Sequence, residues 1–329
     1  GKSGTVFQEL SAVELAKRLI AELLDRLNLA GDAIDQVVFG TVVPNLETVN
    51  IAREIVLGTR LSTHIPAHSV SRACATGTQA IVAGAQAILL GEAETVICGG
   101  ADSLSRPVIA LSDTLAQTLA ATRAAKSTAA KARLFLKLRP SDLLPRVPSL
   151  KEPSTGLTMG EAAEKMAKEN GMTRAQQDEF ALQSHQRSAA AWENGIYREQ
   201  VMSVFLPDGK TAVAQDQQFR KDTSLTKLAE LKPVFDTHEG SVTAGNSSPL
   251  SDGAAAVVLM KSEKARALGY EPLAYVRSWA FAGVDPNWQL LMGPAVAIPK
   301  VLERAHLTLK EMDLIDMHEA FAAQVLSNI

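Results

Sequence analysis

The run AHSVSRACATGTQAIVAGAQAILLGEAETVICGGADS, residues 67–103, decides the fold. Ala67 to Val70 reads as a short strand, the small-residue stretch from about Ala75 to Leu90 has helical spacing, and TVICGGAD is strand again. Upstream, QVVFGTVV at 36–43 is β-branched and mostly apolar, the pattern of a strand covered on both faces. A helix follows from about Ile51. Residues 10–28, LSAVELAKRLIAELLDRLN, place apolar groups at 13, 16, 19, 20, 23, 24 and 27, one stripe of a helix. Ser11 suits its N-cap and Glu14 the partner in a capping box. The alternation predicts a layered α/β domain.

Downstream of about Ser112 the strand signals vanish, and a polar, helix-rich region runs to about Thr237. In it, GEAAEKMAKEN and TRAQQDEFALQSHQRSAAAWENG have the patterning of amphipathic helices. Strand character returns in 240–260 and 274–281, a helix is expected from about Pro294 to Ala305, and a further strand at Leu314–Met317. An internal repeat links the two ends: LDRLNLAGDAIDQVVF (24–39) lies without gaps over LERAHLTLKEMDLIDM (302–317), sharing Leu24/Leu302, Arg26/Arg304, Leu29/Leu307 and Asp35/Asp313. Repeats of this kind mark related structural units. The expected division is an N-terminal α/β half (1–112), an inserted helix-rich domain (113–239) and a C-terminal α/β half (240–329).

The chain has 329 residues, 46% of them hydrophobic, with 33 basic and 36 acidic side chains and a formal charge of -3. At about 150 residues per domain this is two domains' worth of chain with an ordinary core. A disordered or fibrous protein is excluded, and the charge supplies no global positive field for nucleic acid. No apolar stretch approaches the ~18 residues of a membrane-spanning helix. Two cysteines, Cys74 and Cys98, are too few for a disulfide scaffold or a cysteine-rich metal site, so a reducing compartment and no metal are expected.

Cys74 falls between an apolar strand and the start of a small-residue helix, where the helix dipole and free N–H groups favour the thiolate. Gly77 and the nearby alanines leave room for a carbonyl close to the backbone, where amides stabilise an oxyanion. The residues alone leave two readings open, a nucleophile or a buried, inert thiol. Cys98, flanked by strand residues, reads as core.

In order along the chain, SRACATG, GGADS, TAGNSSPLSDGAAAV and DMHEAF resemble the signatures of the thiolase family over nearly the whole chain. The resemblance implies the thiolase fold, two related α/β halves in α-β-α-β-α layers with an inserted loop domain, the C-terminal half incomplete. It implies cleavage of 3-ketoacyl-CoA by CoA in two thioester steps, the gain of covalent catalysis. Cys74 would be the acyl-accepting nucleophile. His318 would help bind the thioester oxygen, with Glu319 and Phe321 shaping that corner. Thr158, Met159, Phe235, Ala244 and Ser248 would line the pantetheine channel, and Arg220 would lie near the nucleotide. CoA is then a substrate, and no cofactor is implied. Thr158 replaces the His of many biosynthetic members.

NIAREIVLG, VSRACATG and IDMHEAFAAQ further resemble the β subunit of the fatty-acid β-oxidation multienzyme complex. This implies a homodimer assembled with a hydratase/dehydrogenase α subunit, in the bacterial cytoplasm or the mitochondrial matrix. The family's C-terminal GHP histidine does not occur in the 329 residues, nor does any cysteine beyond Cys98; the expectation is of an incomplete version of a longer protein, lacking residues at both ends. Alternatives are a biosynthetic acetyl-CoA acetyltransferase or a non-catalytic acyl-CoA-binding scaffold. Arg123, Lys126, Lys131, Arg133, Lys137 and Arg139, with Leu134 to Leu138 and Leu143 to Pro145, form either a solvated, partner-docking face or a basic amphipathic element on anionic lipid.

Overall fold

The computed structural model describes residues 1–145 and 151–329; residues 146–150 of the expected insertion lie outside the described residues. The elements in chain order are α1 (Ala12–Arg26), β1 (Gln36–Gly40), α2 (Ile51–Leu57), β2 (Ala67–Val70), α3 (Thr76–Leu89) and β3 (Thr95–Ser103). Then come α4 (Asp113–Ala124), α5 (Thr128–Phe135), α6 (Met159–Glu169), α7 (Arg174–Glu193), β4 (Val204–Phe205), β5 (Ala212–Val213) and α8 (Leu225–Ala229). β6 (Asp252–Met260), α9 (Ser262–Ala267), α10 (Pro286–Gln289), α11 (Gly293–Ala305) and α12 (Ala322–Asn328) complete the order. Among the described residues no helix is long and apolar enough to cross a membrane.

The expected α/β layers are present. β2, β1 and β3 are parallel neighbours and β6 closes the sheet antiparallel to β3, in the order β2-β1-β3-β6. Because side chains alternate along a strand, the sheet divides its apolar residues between two cores. Val37, Phe39, Ile97 and Ala101 pack with Ala16, Ile20 and Leu24 of α1 and Ile51, Ala52 and Ile55 of α2. Val38, Val96 and Cys98 face α3 through Ala80 and Ala87. The doubly covered strand read from QVVFGTVV is therefore β1, which ends at Gly40. Beyond it the Asp102 carboxylate accepts from Thr41 Oγ1 at 2.9 Å and from the amides of Val42 and Val43 at 2.9 and 2.8 Å, turning the chain away. The Ser11–Glu14 capping box forms at the start of α1.

The expected boundary at residue 240 needs correction. Only Asp252–Met260 of the 240–260 stretch is strand, and it pairs with β3 from Thr95↔Met260 to Ser103↔Asp252. It therefore belongs to the N-terminal sheet. The helix-rich region also contains the small hairpin β4–β5, whose two-residue strands are below the reach of periodicity. The strands expected at 274–281 and Leu314–Met317 do not form ladders among the described residues. A strand exists only through a neighbour that takes up its amides and carbonyls, and neither segment has one there.

The repeat is nonetheless real at the level of backbone. Offset by 278 residues, α1 and α11 end within a residue of each other, then Asn28 (φ 47°) and His306 (φ 53°) take the left-handed conformation. Leu29 N–H donates to Leu24 O and Leu307 N–H to Leu302 O, both at 3.0 Å. The 3₁₀ turns Gly31–Ala33 and Leu309–Glu311 follow at the same offset.

Candidate active site

Cys74 occupies the turn between β2 and α3. Ala73, just before it, holds a left-handed φ of 43°, unusual for a residue with a Cβ. The turn is braced at Thr76, whose Oγ1 accepts the Arg72 amide at 2.7 Å and donates to Ala73 O at 2.7 Å. Arg72 is fixed in turn by Gln79 Oε1 at 2.9 Å and by the Phe281 ring, 4.1 Å from its guanidinium carbon. The result is an exposed thiol at the N-terminus of a 14-residue helix, which leaves its first amides without intrahelical acceptors. The Cβ position of Gly77 faces open space. Of the two readings left open for Cys74, burial is not what the structure shows.

Cys98 has the opposite environment. It is fully buried on β3, so close to α3 that a Cβ on Gly84 would sit 2.4 Å from its sulfur. Burial pushes its thiol up to about 12, which leaves it protonated and unreactive at neutral pH. The core reading of Cys98 holds.

A second group of residues gathers around the 241–248 loop. Glu164, on α6 and 4% exposed, accepts from the amides of Ser241 and Val242 at 2.9 and 2.8 Å and from Ser241 Oγ at 2.9 Å. Gln177 and Asp178 of α7 hold the same loop, through Ser241 Oγ at 2.9 Å and Asn246 Nδ2 at 2.9 Å. Arg174 pairs with Asp178 at 2.8 Å. The Glu164 and Asp178 carboxylates are thereby satisfied, as burial requires, while Gln177 engages the loop through its Nε2 and its buried Oε1 has no hydrogen-bond partner among the described residues. The loop runs antiparallel to residues 320–322: Ser248 N–H donates to Ala320 O at 2.9 Å and Ala322 N–H to Asn246 O at 3.0 Å.

That pairing sets Ser248, His318 and Glu319 along a cleft of about 510 Å³, with α7 and the loop around Phe219 as its other walls. Trp192 lies 5.0 Å from Tyr197 and stacks on Phe219 at 6.5 Å. Ser184 Oγ donates to Glu319 at 2.5 Å. On the other side of residue 321, Phe235 meets the Phe321 ring edge-on at 6.2 Å and covers Gly160, where a Cβ would lie 1.9 Å from the ring. Met159 opens α6 beside it, and Thr158 caps that helix in a box with Glu161. Ala244 is exposed on the loop. Arg220 is exposed next to Phe219, its amide donating to His185 Nδ1 at 3.3 Å. Cys74 does not line this cleft. Among the described residues no cluster of three His, Cys, Asp or Glu could hold a metal ion.

Sequence reasoning passed over Glu164, Gln177, Asp178, His185 and the aromatic trio. A signal existed for Glu164: Gly160, Ala163, Glu164 and Ala167 are all buried at helical spacing, so a carboxylate stands on the apolar stripe of its helix. Such a charge is retained only with partners.

The chain matches the family model "Thiolase, N-terminal domain" over residues 1–263 and "Thiolase, C-terminal domain" over 270–329. A 3-ketoacyl-CoA thiolase of Yersinia pestis (strain Pestoides F) is 49% identical over 328 residues, covering 100% of this chain and 75% of the relative. One from Yersinia pseudotuberculosis serotype O:3 (strain YPIII) has the same figures. Among solved structures, a Bacillus anthracis acetyl-CoA acetyltransferase superposes with a TM-score of 0.86 at 32% identity. The human mitochondrial 3-ketoacyl-CoA thiolase does so with 0.84 at 29%. Each alignment covers the whole of this chain and 79% of the other.

Proposed function

The chain belongs to the thiolase family, and from that premise we propose that it is an acyltransferase of the 3-ketoacyl-CoA thiolase type, with Cys74 as nucleophile. The Cys74 thiolate adds to the C3 carbonyl of a 3-ketoacyl-CoA. Collapse of the adduct breaks the C2–C3 bond, the electron pair passes to C2 of the departing acetyl-CoA enolate, and a proton taken up there completes acetyl-CoA. The acyl group remains as a thioester on Cys74, and attack by the thiol of a second CoA releases a shortened acyl-CoA and restores the thiolate. The observation that carries this reading is the exposed thiol on a braced strand-to-helix turn at the N-terminus of α3.

His318 supplies a further donor to a thioester oxygen, and Ser248, Ala244, Phe235, Met159 and Thr158 accommodate the pantetheine arm. Arg220, exposed and cationic, meets the anionic nucleotide. Support comes from the Ser248–Ala320 pairing, which joins two of these segments.

The working assembly in this reading is a homodimer with a hydratase/dehydrogenase α subunit, serving fatty-acid β-oxidation in the bacterial cytoplasm; the mitochondrial matrix is the alternative. Residues 121–145 are its peripheral membrane contact, supported by Leu136 and Leu144, exposed at 83% and 64% among the basic side chains. Reversing the six charges there should abolish binding to anionic vesicles; unchanged binding would remove the membrane role.

The acyl-enzyme is the test. Incubation with a 3-ketoacyl-CoA should leave the acyl group on the Cys74 peptide in mass spectrometry, and Cys74→Ser should lower turnover on the order of 10⁴-fold. Binding of acyl-CoA without any acyl-enzyme would instead favour a scaffold, and acylation confined to acetyl groups an acetyl-CoA acetyltransferase.

A further inference from the structure

Arg220 is carried by the short loop after β5, and that loop is held on α7 at three points. Phe219 stacks on Trp192 with an interplanar angle of 16°. Lys221 pairs with Glu193 at 3.0 Å, both side chains more than half exposed, an arrangement worth little on its own. The third contact is the Arg220 amide to His185 Nδ1 at 3.3 Å; it ties the Arg220 backbone itself to α7, the other bond on that backbone among the described residues being the longer one within the loop, Thr223 N–H to Arg220 O at 3.5 Å. For Nδ1 to accept, its lone pair must be free, so the ring is neutral with its proton on Nε2.

We propose that His185 is a positioning residue for the nucleotide end of CoA: its neutral imidazole fixes the Arg220 backbone and so aims the guanidinium at the anionic ligand, while the imidazolium releases it. The inference rests on the reading of Arg220 as the nucleotide contact. His185 reaches Arg220 from α7, and the groups that face it come from several elements. Arg220 stands on the loop and Glu319 on the segment before α12, with Asp216 and His318 in the same cleft wall. Burial lowers the His185 pKa, the Arg220 cation lowers it further, and Glu319 opposes them. At neutral pH the ring therefore stays an acceptor, and the contact is lost as pH falls through a value below the ordinary 6.5. Protonation also places a proton opposite the Arg220 N–H and a second cation beside the guanidinium.

The test is calorimetric titration of CoA into the 329-residue chain between pH 5 and 8, for the wild type, His185→Asn, His185→Phe and Arg220→Ala. Asn offers an amide oxygen close to the Nδ1 position without titrating; Phe offers no acceptor. One hydrogen bond of ordinary strength corresponds to about fivefold in affinity. The wild type should lose about that factor at low pH beyond the loss shown by His185→Asn, which shares every other titration, that of the CoA phosphates included. His185→Phe should bind about fivefold more weakly even at pH 8. Identical pH profiles for wild type and His185→Asn would overturn the role of His185 while leaving CoA binding intact. Wild-type affinity in Arg220→Ala, or no CoA binding by any form, would instead remove the nucleotide reading beneath it, and the proposal with it.

Discussion

Segments 24–40 and 302–318, 278 residues apart, leave a helix through a left-handed residue, close a 3₁₀ turn and continue extended. In the first, Val37, Val38 and Phe39 are fully buried; in the second, Leu314 and Ile315 are exposed at 84% and 46%. Even the capping of the helix end is parallel, since Tyr270 Oη donates to Leu27 O at 2.7 Å and Arg277 Nη2 to Ala305 O at 3.1 Å. Helix, left-handed residue and turn are decided by bonds spanning at most five residues, so they form in both places. A strand is decided by its neighbours. β1 has β2 and β3 beside it and helices on both faces, whereas residues 314–318 have no ladder partner among the described residues.

Hydrogen exchange should separate the two regions most widely. Amides of Val37 to Gly40 should exchange only on global opening, orders of magnitude more slowly than those of Leu314 to His318, which should approach the unprotected rate; equal protection would break the contrast. Next in size, Phe39→Ala should cost about 3–5 kcal/mol in urea unfolding, against within about 0.5 kcal/mol for Ile315→Ala, as for other surface positions. A large loss at Ile315 would mean that the second segment is packed after all. The paired caps sharpen the comparison further. Tyr270→Phe should cost about 1 kcal/mol because it strands a part-buried carbonyl, while Arg277→Met should change stability by only a few tenths (~0.3 kcal/mol), water replacing the exposed donor.

The smallest effect concerns pH. The Ser11 amide and hydroxyl, bonded to Glu14, hold its carboxyl below the ordinary 4.5. Because the folded pKa lies below the unfolded one, the cap contributes fully above about 4.5 and fades as pH falls through the depressed value. Glu14→Gln should remove that part of the acid sensitivity of thermal unfolding. The Thr308 hydroxyl and amide depress Glu311 in the same direction, so Glu311→Gln should also remove a part of the acid sensitivity, of the same sign.

The same distinction explains how much could be read before folding. Ser11 with Glu14, the stripe through α1 and the doubly covered β1 are local patterns, and they were legible as such. The pairing of Ser103 with Asp252 joins residues far apart in the chain, and no periodicity encodes that register, so the sequence shows strand character at β6 but not its place in the N-terminal sheet. In the site, the strand-to-helix setting of Cys74 was visible in its neighbours, but Ser248 and His318 were picked out only through the family resemblance. Glu164 was legible as a carboxylate on an apolar stripe. His185 was not, because its significance depends on an amide 35 residues away.

The contrast between the two thiols has a practical side. With Cys74 open to solvent and Cys98 sealed beneath Gly84, one equivalent of a maleimide dye at neutral pH should attach to Cys74 and not to Cys98 in the 329-residue chain. The turn ahead of α3 would then carry its own fluorescent reporter, and an acyl group already on Cys74 would block the labelling, so dye uptake would report how much of the thiol is acylated.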